Sequence, residues 1–203
     1  MLKNIIFDLG GVLLDLDYTK TSDAFKKLGI KDFDLHFSQF TADELFEKLE
    51  TGKISEEAFF NTVIKLCDKG TSLQEVENAW NAMMLDFRAD SLVYLKQLKK
   101  QYSIYLLSNT NSIHLRAFQS IFTRKTGEKS LDVYFDKAYY SHLIGLRKPH
   151  LATYEYVLQD AGMSASETLF IDDSIHNIQA ATQVGIKTHL LLSTEKIQDV
   201  PLK

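Results

Sequence analysis

From residue 89 onward, short apolar runs and amphipathic stretches follow one another in regular alternation, and that pattern narrows the fold more than any other property of this chain. The spacing predicts a helix over 89–101, a strand over 104–108, a helix over 111–122, a strand over 137–140, a helix over 150–161, a strand over 168–172, a helix over 174–184 and a strand over 187–191. A further apolar run predicts a first strand over 3–7. Strands separated by helices do not pair as tight hairpins; they pair in parallel, and the crossover helices cover both faces of the sheet. Gly162 and Gly185 stand just past two of these helices, where a left-handed residue ends a helix with least strain. The expected fold class is therefore α/β, with a Rossmann-like doubly wound parallel sheet as its core.

Between the first strand and the alternating region the periodicity changes. From about 18 to 87 everything reads as helix: Thr41-Ala42-Asp43-Glu44 and Ser72-Leu73-Gln74-Glu75 fit capping boxes, and Phe25, Phe46, Phe59, Phe60 and Trp80 recur at helical intervals. This predicts an inserted α-helical domain of about four helices over 17–87, with 1–16 plus 88–203 forming the core domain. The aromatic stripe is expected to pack the core of that insertion, with one or two rings turned toward a ligand. The polar segment 123–130 is expected to be a mobile surface loop.

With 203 residues, 45% apolar and 25% charged, the chain has ample material for such a core. Its net charge of −4 is dispersed without a basic block or a long run of one sign, which argues against a nucleic-acid partner. Cys67 is alone, the opening Met-Leu-Lys-Asn-Ile-Ile leads into a strand and not a signal peptide, and no apolar stretch approaches the ~20 residues of a membrane helix. The expectation is a cytoplasmic protein with no membrane partner and an open oligomeric state.

In an open parallel sheet, ligands bind beyond the carboxyl ends of the strands. Here the first strand runs into Asp8-Leu9-Gly10-Gly11, another ends at Ser108 followed by Asn109-Thr110-Asn111, and another ends in Asp172-Asp173; Arg147-Lys148-Pro149 comes a few residues after a third. One edge thus gathers three carboxylates, a hydroxyl, an amide and a lysine. That mixture suits a divalent cation together with a phosphate, because three clustered acids without a cation would repel one another or take up protons. Glycines after Asp8 would let backbone N–H groups approach an anion closely.

These residues resemble the haloacid dehalogenase superfamily, and within it the phosphatases that carry a helical cap after the first strand, such as bacterial sugar-phosphate phosphatases of the alpha-D-glucose-1-phosphate phosphatase type. Phe-Asp-Leu-Gly-Gly-Val-Leu (7–13), Leu-Leu-Ser-Asn-Thr-Asn (106–111), Arg-Lys-Pro (147–149) and Phe-Ile-Asp-Asp-Ser (170–174) are similar to the four motifs of that family, in order. The resemblance implies Mg²⁺-dependent hydrolysis of a small phosphate monoester, such as a sugar phosphate. Asp8 would be the nucleophile that forms an aspartyl-phosphate. Mg²⁺ would take oxygens from Asp8, the Gly10 carbonyl, Asp173 and, in support, Asp172. Ser108 and Asn109 would bind phosphoryl oxygens through hydroxyl and backbone N–H, beside Gly10 and Gly11, and Lys148 would offset the charge. Asn177 would brace the acid pair. Each residue has a plainer use, as a strand-end or helix cap or a solvated side chain, and it is their joint occurrence at strand ends that favours the chemical one. His150 and His176 are assigned no role, and His36, His114, His142 and His189 lack ligand spacing.

Gly10 departs from the common phosphatase pattern, which has at that position an aspartate that protonates the leaving group. General acid–base help is worth roughly 10²–10⁴-fold against total accelerations of up to ~10²¹ for phosphate monoesters, so its loss weakens an enzyme without abolishing it. The expectation is a bias toward easier leaving groups, such as anomeric, acyl or aryl phosphates. Asp15 or Asp17, where the insertion begins, would be a substitute acid, against linker polarity as the plainer use. A haloacid dehalogenase lacks the paired acids seen at 172 and 173, a phosphomutase keeps the second acid, and a catalytically weak phosphometabolite-binding protein has Gly10 as its only support.

Overall fold

In the computed structural model, residues 1–33 and 44–202 are described. Along the chain run β1 (Asn4–Phe7), β2 (Leu14–Leu16), α1 (Tyr18–Lys27), α2 (Glu44–Glu50), α3 (Glu56–Ile64), α4 (Leu73–Asn81), β3 (Met84–Phe87), α5 (Ala89–Leu98), β4 (Ser103–Ser108), α6 (Ser112–Thr126), β5 (Lys137–Tyr140), the short α7 (Ser141–Ile144), α8 (Leu151–Asp160), β6 (Thr168–Asp172), α9 (Ile175–Gln183) and β7 (Lys187–Leu190). Five strands form one sheet in the order β5-β4-β1-β6-β7, every pair parallel. The side chains show why it is wound on both faces. Alternate residues of a strand point to opposite sides. Ile5 and Phe7 of β1, Ile104 and Leu106 of β4, and Leu169 and Ile171 of β6 pack with α5 and α6, whereas Ile6, Leu107 and Phe170 pack with α8 and α9.

The helices α1–α4 have an aromatic core of their own, built from Phe25, Phe46, Phe59, Phe60 and Trp80, all buried, with Ile113 of α6 joining it. Trp80 is its centre: it stacks on Phe46 with ring centroids 5.3 Å apart and meets Phe59 at 5.1 Å. The stripe is thus core packing. At α4 the expected capping box is present, with the Glu75 N–H donating to Ser72 Oγ and the Ser72 N–H donating to Glu75 Oε2. The box at Thr41-Ala42-Asp43-Glu44 lies outside the described residues. Among the described residues, no helix is long and apolar enough to cross a membrane.

Two features differ from the sequence-based expectation. β2 and β3 pair antiparallel, Leu14 with Phe87 and Leu16 with Met84, as a ribbon that carries the chain out to the helices and back. Strands of three and four residues are too short to show period-two alternation. The segment 123–130 is not a loop throughout: α6 continues to Thr126 and ends at Gly127, whose φ of +76° suits a glycine. Arg124 and Lys125 are good helix formers on an exposed turn, so polarity there reports solvent and not a break in the helix.

Candidate active site

The register of the sheet creates the site. Phe7 of β1 pairs with Ile171 of β6, and the Asp8 N–H donates to the Ile171 carbonyl at 2.9 Å, so Asp8 and Asp172 leave the sheet side by side. β1 is also where the strand order turns from the β4-β5 side to the β6-β7 side, the crevice in which such sheets hold ligands. Between the two acids stands Lys148, whose Nζ donates to Asp8 Oδ1 and to Asp172 Oδ2, each at 2.7 Å. Lys148 is 1% exposed, Asp172 0% and Asp8 8%. Asp173 completes the group, one carboxylate oxygen of each acid lying within 4.8 Å of the others.

The acids are not equivalent. Asp172 also accepts from the Ser174 N–H at 2.8 Å and from Asn177 Nδ2 at 2.9 and 3.1 Å, so its acceptor positions are filled from within the protein and it serves to orient Lys148. Burial pushes the Asp8 carboxyl up to about 7, with Asp172 and Asp173 adding to the rise and Lys148 opposing it. Burial works against the Lys148 ammonium, but the charges of Asp172 and Asp8 outweigh it and hold it above the ordinary lysine range. Three carboxylates against one ammonium leave an excess of two negative charges when all are ionised, in an oxygen-only donor set. That is the chemistry a hard divalent cation fits.

The turn after β1 shows what each glycine does. Gly11 has φ +70°, and a Cβ there would lie 2.2 Å from Asp173 Oδ2, so only glycine lets the turn after β6 approach. At Gly10 a Cβ would meet Leu16 Cδ1 at 2.5 Å. The space beside Gly10, where the common pattern has a carboxylate, is therefore filled by an apolar side chain of β2. The turn is closed by Leu13 and Leu14 N–H donating to the Leu9 carbonyl and by Gly11 N–H donating to the Leu14 carbonyl, a set that leaves out the Gly10 N–H and carbonyl.

At the end of β4, Ser108 is buried. It is not the cap of α6; Asn111 is, its Oδ1 accepting from the His114 N–H at 2.9 Å. The Asn109 side chain holds the lysine segment in place, donating to the Lys148 carbonyl at 2.8 Å and accepting from the Lys148 N–H at 2.9 Å. Asp8, Gly10, Gly11, Ser108, Asn109, Lys148, Asp172 and Asp173 are thus brought to one sheet edge, with Asn177 bracing Asp172. The two proposed substitute acids are used elsewhere: Asp15 pairs with Arg88 at 2.7 Å, and Asp17 caps α1 through Thr19. His150 begins α8, 4.0 Å from Glu47, His176 is exposed, and His36 lies outside the described residues.

Sequence reasoning missed two residues over the site. Glu50, at the end of α2, and Tyr18, at the start of α1, line a cavity of about 70 Å³ together with Gly10, Ser108 and Asn109. Glu50 is 8% exposed and lies 3.0 Å from Arg147 Nε. Burial pushes its carboxyl above the usual carboxylate range against the pull of Arg147. One signal was present: Phe46, Leu49 and Glu50 share the buried face of α2, which puts a carboxylate where the helical period asks for an apolar residue.

Residues 2–185 match the model of the haloacid dehalogenase-like hydrolases. The chain belongs to that family. Among curated relatives it is 36% identical to a D-ribitol-5-phosphate phosphatase of Bacteroides thetaiotaomicron, over 93% of this chain and 91% of that one. It is 29% identical to a sesquiterpene phosphatase of Aspergillus oryzae, over 91% and 87%. Among solved structures it superposes with TM-score 0.90 and 32% identity, over 97% of both chains, on a haloacid dehalogenase family enzyme of Bacteroides thetaiotaomicron crystallised with magnesium and inorganic phosphate. The shared fold includes the helical insertion, since the match runs through nearly the whole chain.

Proposed function

We propose that this protein is a Mg²⁺-dependent phosphatase that hydrolyses a small phosphate monoester, a sugar or polyol phosphate, through an aspartyl-phosphate on Asp8. One observation carries the reading: a buried Lys148 ammonium bridging Asp8 and Asp172 at 2.7 Å, beside Asp173 and Ser108. Asp8 Oδ1 is engaged by Lys148, so its other oxygen attacks phosphorus, the bond from phosphorus to the leaving oxygen breaks on the opposite side, and the leaving oxygen takes its proton from water. Water then attacks the aspartyl-phosphate and frees phosphate and Asp8. Lys148 offsets the charge of Asp8 and of the transferring group, Asp172 and Asn109 keep Lys148 in place, and Ser108 donates to a phosphoryl oxygen. Asp8, Asp173 and the Gly10 carbonyl, with Asp172 in support, would hold Mg²⁺, which when bound neutralises phosphoryl charge. In this reading 1–16 plus 88–203 is the catalytic core and 17–87 the cap over it.

The sugar- or polyol-phosphate class rests on the relative named for D-ribitol 5-phosphate. Turnover of p-nitrophenyl phosphate, with and without EDTA, tests the chemistry, and Asp8→Asn should abolish it. Absence of metal-dependent turnover on that substrate and on a metabolite panel would leave a phosphate-binding protein instead. The panel should set anomeric and aryl phosphates against primary alkyl phosphates. The leaving-group bias expected from Gly10 fails if primary alkyl phosphates are hydrolysed fastest.

A further inference from the structure

We propose that Glu50 selects the leaving group: its carboxylate accepts hydrogen bonds from the hydroxyls of a neutral, polyhydroxylated leaving group and repels substrates that carry a second anionic group. This rests on the phosphatase reading above. Packing does not explain Glu50. It stands on the buried face of α2 with Phe46 and Leu49, where an apolar side chain of similar volume would serve folding as well or better than a buried ion pair. Its partner Arg147 lies at ion-pair distance, 3.0 Å, yet neither Glu50 Oε2 nor Arg147 Nε is aligned for a hydrogen bond with any described residue. The carboxylate is nine-tenths buried with Oε2 turned to Arg147 Nε, and it lines the cavity, where its remaining acceptor capacity meets a donor that enters.

The position of the cavity identifies that donor. Gly10, Ser108 and Asn109 line it from the sheet edge, with Leu16, Met83 and Phe118 among its apolar walls, so a substrate whose phosphoryl end lies against the sheet edge extends its leaving group past Glu50. Glu50 therefore meets the leaving group and not the phosphate, which its own charge would repel. Hydroxyl groups satisfy a carboxylate; a carboxylate or a second phosphate on the substrate would place two like charges together in a site with little water to screen them. Arg147 is a positioning residue in this arrangement. It fixes Glu50 from the segment that also carries Lys148.

Two near-isosteric substrates isolate the charge: glycerol 3-phosphate, with a neutral leaving group, and 3-phosphoglycerate, whose leaving group bears a carboxylate. A hydrogen bond to a charged group corresponds to about 10- to 100-fold in specificity, so the wild type should prefer glycerol 3-phosphate by at least about tenfold in kcat/KM. Glu50→Gln should compress that preference by about tenfold or more, while Glu50→Asp, which keeps the charge and shortens the reach, should retain the rejection of 3-phosphoglycerate. Each value is taken as a ratio to p-nitrophenyl phosphate turnover by the same variant, so a general loss of activity cancels. A wild type that does not discriminate between the two substrates overturns the proposal without any variant, and so does an unchanged ratio in Glu50→Gln. A wild type that hydrolyses no p-nitrophenyl phosphate refutes the phosphatase reading itself, and the selection role falls with it.

Discussion

Acidification should unlatch the helical insertion from the sheet through a single residue, His114. It lies in the first turn of α6, 9% exposed, stacked on Trp80 with ring centroids 4.7 Å apart, and its Nε2 is 3.1 Å from the Trp80 carbonyl. Burial lowers its pKa from 6.5 to about 4, with the Trp80 carbonyl opposing, so the folded protein keeps the ring neutral where the unfolded chain already protonates it. Between those two values the unfolded state binds more protons, and stability is lost as pH falls from about 6.5 toward 4. At 1.36 kcal/mol per tenfold change in proton affinity, the full window is worth roughly 3 kcal/mol. Urea unfolding followed by far-UV circular dichroism at pH 7 and pH 4.5 measures the loss. His114→Phe keeps the stacking and removes the titration, so its stability should change less over the same interval by about 2 kcal/mol or more. Fluorescence of Trp80, the only tryptophan, provides a second readout, because a protonated imidazole against the indole should quench it. Equal acid slopes in wild type and His114→Phe would refute the reasoning.

Two further substitutions test the site. Asn109→Ala removes both hydrogen bonds to the backbone of Lys148 and should cost about 1–3 kcal/mol in urea unfolding, with a fall in kcat on p-nitrophenyl phosphate larger than any rise in KM, because Lys148 is displaced and not removed. Gly10→Asp, which restores the common carboxylate, should destabilise by about 1 kcal/mol or less because the end of the Leu16 side chain must turn aside, and pairing it with Leu16→Ala should remove that cost. If Gly10→Asp alone is neutral in thermal unfolding, Leu16 is not the obstacle.

The strand ends were readable without coordinates because apolar periodicity is local. Asp8, Ser108 and Asp172 each close a short apolar run, and a parallel sheet necessarily brings such ends to one edge. The Ser72 capping box and the aromatic stripe were readable for the same reason, each depending on neighbours three or four residues away. The β2–β3 ribbon was not, since its strands are too short to carry a period and are joined across the whole helical insertion. Nor could the sequence tell Asp15 and Asp17 from a catalytic acid, or show that Leu16 fills the space beside Gly10.

By itself, then, the sequence determined which chemical groups the sheet edge receives. Only the tertiary structure decided what each group does there. Lys148 meets Asp8 across 140 residues of chain, Asp172 is filled by Lys148, Ser174 and Asn177 while Asp173 packs against Gly11, and Glu50 arrives from a helix that no strand-end pattern includes. A polar group's role follows from which donors and acceptors lie within about 3 Å of it, and contacts of that range between distant segments have no signature in local periodicity.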